Sequence, residues 1–235
     1  MNTINTFPAD STYSRRRVAF IVTAVVMLIL VLDQWLKIWI KTHMEVGQEF
    51  SLLGQSWMRI HFVENEGMAY GLSLGGKTGK LILTLFRFGA IGFLIYLMRK
   101  MIREGYAVGL LIFFAMIIGG AIGNLLDSIF YGVIFDDPGY HGGVAKLFPP
   151  EGGYGKLLYG RVVDMLYFPI LDFHWPDWMP IVGGQRFEFF RPVFNLADSC
   201  ITTGILGILL FYRKHFFGMS KKEISKTSPT PSSPE

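Results

Sequence analysis

The sequence predicts an all-α membrane protein that crosses the bilayer four times. Three observations lead there. Apolar residues make up 51% of the 235 residues and charged residues only 17%. The apolar residues are gathered into four long runs, each near the roughly 20 helical residues that a hydrocarbon core of about 30 Å requires. The net charge of +4 is also unevenly placed. Arg15, Arg16 and Arg17 precede the first run; Arg99, Lys100 and Arg103 follow the second; Arg213, Lys214, Lys221 and Lys222 follow the fourth. By the positive-inside rule these stretches face the cytoplasm, and an even number of spans puts both termini there. Their juxtamembrane position speaks against a nucleic-acid partner.

Taken in order, residues 1–17 form a polar cytoplasmic segment. The first span, Val18–Ile40, is interrupted by Asp33, Gln34 and Lys37. It is too long for a signal-peptide core and has no small-residue cleavage site behind it, so it is read as a retained helix. An outer loop follows, from about 41 to 80. In it Met58-Arg59-Ile60-His61-Phe62-Val63 alternates like a short half-buried strand. The second span, Leu81–Met98, carries Arg87, and the third, Ala107–Leu126, has only Asn124 as a strongly polar residue. The second outer loop, about 127 to 192, is rich in Gly, Pro and aromatics; Trp175, Trp178, Phe187, Phe189 and Phe190 suit the headgroup boundary. The fourth span, Val193–Tyr212, holds Cys200, the single cysteine, read as a packing residue. Residues 213–235 form a polar, disordered cytoplasmic tail. The result is one membrane domain, 18–212. No internal repeat is visible, which counts against a transporter built from inverted halves.

Two aspartates carry the chemistry. Asp164 lies in Val162-Val163-Asp164, and Asp198 lies near the start of the fourth apolar run. Ionised carboxylates are expensive next to hydrocarbon, so such groups normally face a polar cavity. Two carboxyls that share a proton can activate water without metal or cofactor. The topology puts Asp33 about 10 Å below the outer end of its span, and brings Asn124, Asp127, Asn195 and Asp198 to the same outer third. A conduction path would need polar lining all the way across; an active site needs only this layer. Asp33 and Lys37, four residues apart, share a helix face and can pair. The small residues from Gly119 to Gly123 allow close helix packing. Arg87 either snorkels to the outer boundary or offers its charge to an acid on another helix. His43, His61, His141, His174 and His215 show no metal-ligand spacing. There is no Gly-x-Ser-x-Gly elbow.

Together these residues resemble a family. Asp33-Gln34-x-x-Lys37, Asn65-x-Gly67-x-Ala69-Tyr70-Gly71, Gly119-Gly120-Ala121-x-Gly123-Asn124-x-x-Asp127, Val162-Val163-Asp164 and Phe194-Asn195-x-Ala197-Asp198 occur in the order seen in bacterial lipoprotein signal peptidase. The resemblance implies an aspartyl intramembrane protease of the inner membrane. Its fold would be four helices with a small extracytoplasmic β-like cradle, and its active site would face outward. It would cleave the signal peptide from diacylglyceryl-modified prolipoproteins just before the lipid-bearing cysteine. It would act as a monomer among membrane lipids, without cofactor or metal, and globomycin would inhibit it. Carried over by motif, the catalytic pair is Asp164 and Asp198, with Asp33, Lys37, Asn65, Gly120, Asn124, Asp127 and Asn195 in support.

Two departures stand out. Ser128 occupies a position where the family pattern has arginine, and either Arg87 or Arg161 is expected to supply the missing charge. The stretch 133–159 looks like an insertion; with residues 172–190 it is read as a lid or a docking element. Two rival classes remain open, a small proton-coupled transporter and a non-enzymatic assembly factor.

Overall fold

The computed structural model describes residues 14–55, 57–66, 76–138, 142–169, 171–189 and 192–213. The expectations for the cytoplasmic tail from 214 on, for most of the N-terminal segment, and for Gly67, Ala69, Tyr70, Gly71, His141 and His215 lie outside those residues.

The protein is mostly helical. Helix α1 covers Arg15–His43 and starts at Ser14, whose side chain accepts the Arg17 N–H. Its buried residues, Val18, Val22, Ile29, Asp33, Lys37 and Ile40, recur at helical spacing and form one stripe. The opposite side leaves Phe20, Leu28, Val31 and Trp35 exposed, as a lipid-facing surface does. Helix α2 spans Gly76–Glu104 and α3 spans Val108–Leu126. Instead of stopping there, α3 runs on through a π-helical turn, Asp127–Tyr131, and a last turn at Gly132–Ile134. Helices α1, α2 and the 27-residue Val108–Ile134 are each long and apolar enough to cross a membrane. Helix α4, Leu196–Phe211, is apolar but shorter.

Small residues let α3 and α4 approach closely. A methyl group at Gly120 would run into the Ala197 carbonyl, and one at Gly204 would come within 2.7 Å of the Phe113 carbonyl. Two buried clusters stack along the bundle. One, with Val22, Met98, Leu110, Leu111 and Ile118, fills the helix-only end. The other, with Ile40, Ile60, Phe62, Tyr131, Val163 and Met165, joins the C-terminal ends of α1 and α3 to a sheet.

That sheet is antiparallel, in the order β1 (Glu49–Ser51), β2 (Arg59–Asn65), β3 (Val162–Tyr167) and β6 (Val193–Phe194). The strand expected at 58–63 is β2, two residues longer at its C-terminal end. Pairing of β2 with β3 sets Val63 opposite Asp164 and Asn65 opposite Val162. Strands β4 (Leu171–His174) and β5 (Arg186–Phe189) make a separate hairpin.

Two boundaries are corrected. The fourth run does not start as a helix at Val193: Val193 and Phe194 pair with β3, and the helix waits for Asn195 to cap it. The second outer loop does not begin at 127, because residues 127–134 prolong α3. The supposed insertion then folds back on this helix end. Phe148 donates its N–H to the Ile134 carbonyl at 2.7 Å, Gly155 to Gly132 at 2.7 Å, and Gly160 to Ser128 at 2.9 Å.

Candidate active site

The site forms where the C-terminal ends of α1 and α3 and the N-terminal end of α4 meet β3. Its floor is built on Lys37. This buried ammonium donates to Asp33 Oδ2 at 2.9 Å, Asp127 Oδ2 at 2.8 Å and Asn124 Oδ1 at 2.9 Å. All three of its protons are used, and both carboxylates are fully buried. Such a buried cluster is tolerable only because each charge is met. The two acids also hold backbone: Asp33 Oδ1 accepts the Ala197 N–H at 3.0 Å, and Asp127 Oδ2 accepts the Val163 N–H at 3.4 Å. Lys37 thereby joins α1 and α3 to the first turn of α4 and to β3.

Above that floor, amides link the two candidate catalytic acids. Asn195 Nδ2 donates to Asp164 Oδ1 at 2.7 Å and to Asn124 Oδ1 at 3.0 Å. Asn124 Nδ2 in turn donates to Asp198 Oδ1 at 2.8 Å. Asn195 and Asp198 also form a reciprocal capping box at the start of α4. The Asp198 N–H donates to Asn195 Oδ1 at 2.9 Å, and the Asn195 N–H reaches Asp198 Oδ2 at 3.4 Å. On the other side, Asn65 donates to Asp164 Oδ2. Asp164 is buried and Asp198 only half-buried. Burial pushes the Asp164 carboxyl up to about 7, and the negative charge of Asp198 adds to the rise. Lys37 and the amides of Asn195 and Asn65 act against it. A carboxyl with this value is about half protonated at neutral pH, where an ordinary one is fully ionised.

Every sequence-assigned residue therefore lies in one constellation: Asp164 and Asp198 at its centre, with Asp33, Lys37, Asn65, Asn124, Asp127 and Asn195 bonded around them. Gly120 differs in kind, since it binds nothing and lets the Ala197 backbone come close. Between the two arginines weighed for Ser128, the geometry is unambiguous. Arg87 Nη1 donates to Ser128 Oγ at 2.9 Å, and Ser128 Oγ donates to the Asn124 carbonyl at 3.0 Å. Arg161 is engaged elsewhere, with Glu64 at 3.1 Å, Asp137 at 2.9 Å and Glu66 at 3.6 Å, over the Tyr154 ring.

Sequence reasoning missed three contributors. Gln34 Nε2 donates to Asp127 Oδ1 at 2.9 Å, and its oxygen accepts Tyr131 Oη at 3.2 Å. Gln34 stood in the first motif without a role. Ser128 was seen only as a departure, and Tyr131 gave no signal at all. A second charged cluster flanks the site: Lys41 pairs with Glu64 and Lys80 with Glu66, the neighbours of Asn65 on either side. Among the described residues, no group of three His, Cys, Asp or Glu is placed to hold a metal ion.

An apolar helix bundle with two linked carboxyls at one end is the build of a membrane-embedded enzyme. Comparison with known proteins gives the family. The family described as Signal peptidase (SPase) II matches residues 25–214. A lipoprotein signal peptidase of Porphyromonas gingivalis is 51% identical over 193 residues, 82% of this chain and 82% of that protein. One from Amoebophilus asiaticus is 34% identical over 189 residues, 79% of this chain and 75% of that protein. A solved bacterial membrane enzyme shares the fold, with a TM-score of 0.51 at 21% identity over 90% of this chain and 94% of its own. The chain belongs to the signal peptidase II family, whose members are aspartic endopeptidases that remove signal peptides from prolipoproteins.

Proposed function

We propose that this chain cleaves diacylglyceryl-modified prolipoproteins before the lipid-bearing cysteine, with Asp164 and Asp198 as its catalytic pair. The observation that carries this reading is the amide-linked pair itself, with one carboxyl raised to about 7 beside a half-buried partner. In the first step Asp198 takes a proton from water, and the oxygen attacks the scissile carbonyl carbon. Asp164 gives its proton to the carbonyl oxygen, which produces a tetrahedral diol. In the second step the C–N bond breaks. The departing amine of the cysteine takes the proton held by Asp198, and a diol hydroxyl returns its proton to Asp164. Every proton and electron pair is accounted for by the two acids, so the scheme needs no metal or cofactor. Asn65, Asn124 and Asn195 hold the acids in place, while Lys37, Asp33 and Asp127 fix the floor below them.

On this reading α4 is the fourth span, the β1-β2-β3-β6 sheet is the outer cradle, and residues 18–212 form one domain. Both termini face the cytoplasm of the inner membrane, and the site opens on the far side. The lipid chains of the substrate stay in the bilayer, so it arrives by lateral diffusion, and the enzyme works as a monomer. Globomycin would compete for the same site. The test is to incubate purified protein with a lipidated precursor and with its unlipidated twin. Cleavage of the lipidated one alone, blocked by globomycin and lost in Asp198→Asn, is the expected result. Proton-linked uptake lost in Asp198→Asn, with no cleavage in wild type, would instead fit a transporter.

A further inference from the structure

The segment from Gly142 to Tyr159 takes no part in the proposed chemistry, yet its side chains are sorted by environment. Ala145 turns into the core beneath the sheet. Val144, Leu147, Phe148 and Leu157 point outward, and Phe148 is 71% exposed. Phe148 also has a φ of +54°, in the left-handed region that is strained for any residue but glycine. In water, strain and apolar exposure would be two penalties at one residue. The same combination recurs at Leu53 (φ +51°, 83% exposed) and Ile181 (φ +77°, 95% exposed), which also lie in the segments joining outer helix ends.

The depth of the segment follows from its hydrogen bonds. The helix Val108–Ile134 has 27 residues, or about 40 Å at 1.5 Å per residue, against a hydrocarbon core of about 30 Å. Its last turns therefore reach the headgroup layer. The Phe148 N–H donates to the Ile134 carbonyl at 2.7 Å, and the Leu158 N–H to the Ile129 carbonyl at 3.0 Å. The segment is thus held at that level, continuous with Phe130 and Val133, which are exposed on the same helix end. Lys146 and Lys156 are exposed beside the apolar residues. Apolar side chains next to lysines that can reach lipid phosphates are the make-up of an interfacial anchor.

We propose that residues 142–159 dock on the bilayer surface itself, with Phe148 at the boundary between headgroups and acyl chains. The anchor steadies the outer end of α3, which carries Asn124, Asp127 and Ser128. The inference rests on the chain crossing the membrane, and not on the roles of Asp164 and Asp198.

Depth measurement tests it. Cys200→Ala removes the single cysteine, and Phe148→Cys then gives a unique site for a nitroxide. The protein is reconstituted in phosphatidylcholine–phosphatidylglycerol vesicles, and collisions with dissolved oxygen and with a water-soluble nickel chelate are compared. The expected result is a severalfold excess of oxygen over nickel accessibility, relative to a free nitroxide in the same buffer. Nickel accessibility equal to that of the free nitroxide overturns the proposal. Low accessibility to both agents also overturns it, because the segment would then be covered by protein, including a second copy of the chain. Leu147→Cys in the same background repeats the measurement if the Phe148 variant does not fold. Prolipoprotein cleavage is assayed in parallel, so a failed anchor and a failed catalytic pair give separate signatures.

Discussion

At the scale of single residues the raised Asp164 carboxyl fixes a pH dependence. If Asp164 must deliver a proton, cleavage should fall as pH rises through about 7, with a separate acid limb where Asp198 takes up its proton and can no longer act as base; a profile of kcat/KM against pH checks this. The same shift has a stability sign. The folded state keeps the Asp164 proton where the unfolded chain, with an ordinary value of about 3.9, has lost it. Stability should therefore decline from pH about 4 to about 7. Asp164→Asn should flatten that decline in thermal unfolding, while abolishing cleavage. Arg87 makes a second prediction. It reaches the Asn124 backbone through Ser128, and its charge acts on Asp198, Asp127 and Asp164. Arg87→Ala should lower kcat about tenfold, or ~1.4 kcal/mol, with KM little changed. Arg161→Ala should leave kcat near wild type and show its effect in stability, since its partners lie in the flanking cluster; equal kcat losses for both would refute the assignment. These residues differ in how far the sequence reveals them. Asp164, Asp198, Asp33 and Lys37 stand out because charge beside apolar runs has few innocent explanations. Gln34 and Tyr131 do not, because their meaning depends on partners brought in from another helix end.

Among the elements, the helices could be read because a bilayer imposes length and composition together, and both observed ends of α1 and the start of α3 fall within a few residues of the predicted ones. The extension of α3 to Ile134 was hidden: Asp127 and Gly132 look like the end of a span, yet Asp127 is neutralised by Lys37 and so stays within the helix. Strand β3 was hidden for a different reason. Val162-Val163-Asp164-Met165-Leu166-Tyr167 is covered on both faces, so it lacks the alternation that identifies a half-exposed strand. Contact between α3 and α4 leads to a prediction on glycines. A methyl at Gly120 meets a backbone carbonyl that cannot rotate away, and one at Gly123 would lie 2.6 Å from Asp33 Oδ2. Gly120→Ala and Gly123→Ala should each reduce cleavage and lower the thermal midpoint in detergent. Gly92 on α2 has open space around it, and Gly92→Ala should be tolerated. Equal damage at all three positions would mean that the glycines serve α-helical flexibility in general and not this particular packing.

For the whole molecule, the proposed function couples an aqueous reaction to a substrate held in lipid. The long helices present large apolar side chains such as Phe20, Phe86 and Phe93 outward, while the carboxyl pair sits where the helix ends meet the sheet. On the proposed reading, water reaches the pair from one side and the lipidated peptide from the bilayer plane. Encounter should then depend on how many substrate molecules share the membrane with the enzyme, and not on their concentration in the bulk. In proteoliposomes, added lipid at constant total volume should slow cleavage in proportion to the falling mole fraction of precursor. Diluting intact proteoliposomes with buffer should leave turnover per enzyme unchanged. An enzyme that collects its substrate from solution would respond the other way round, slowed by buffer and indifferent to lipid. Initial rates measured along both dilution series separate the two, and a rate governed by bulk volume would be incompatible with a site supplied from within the bilayer.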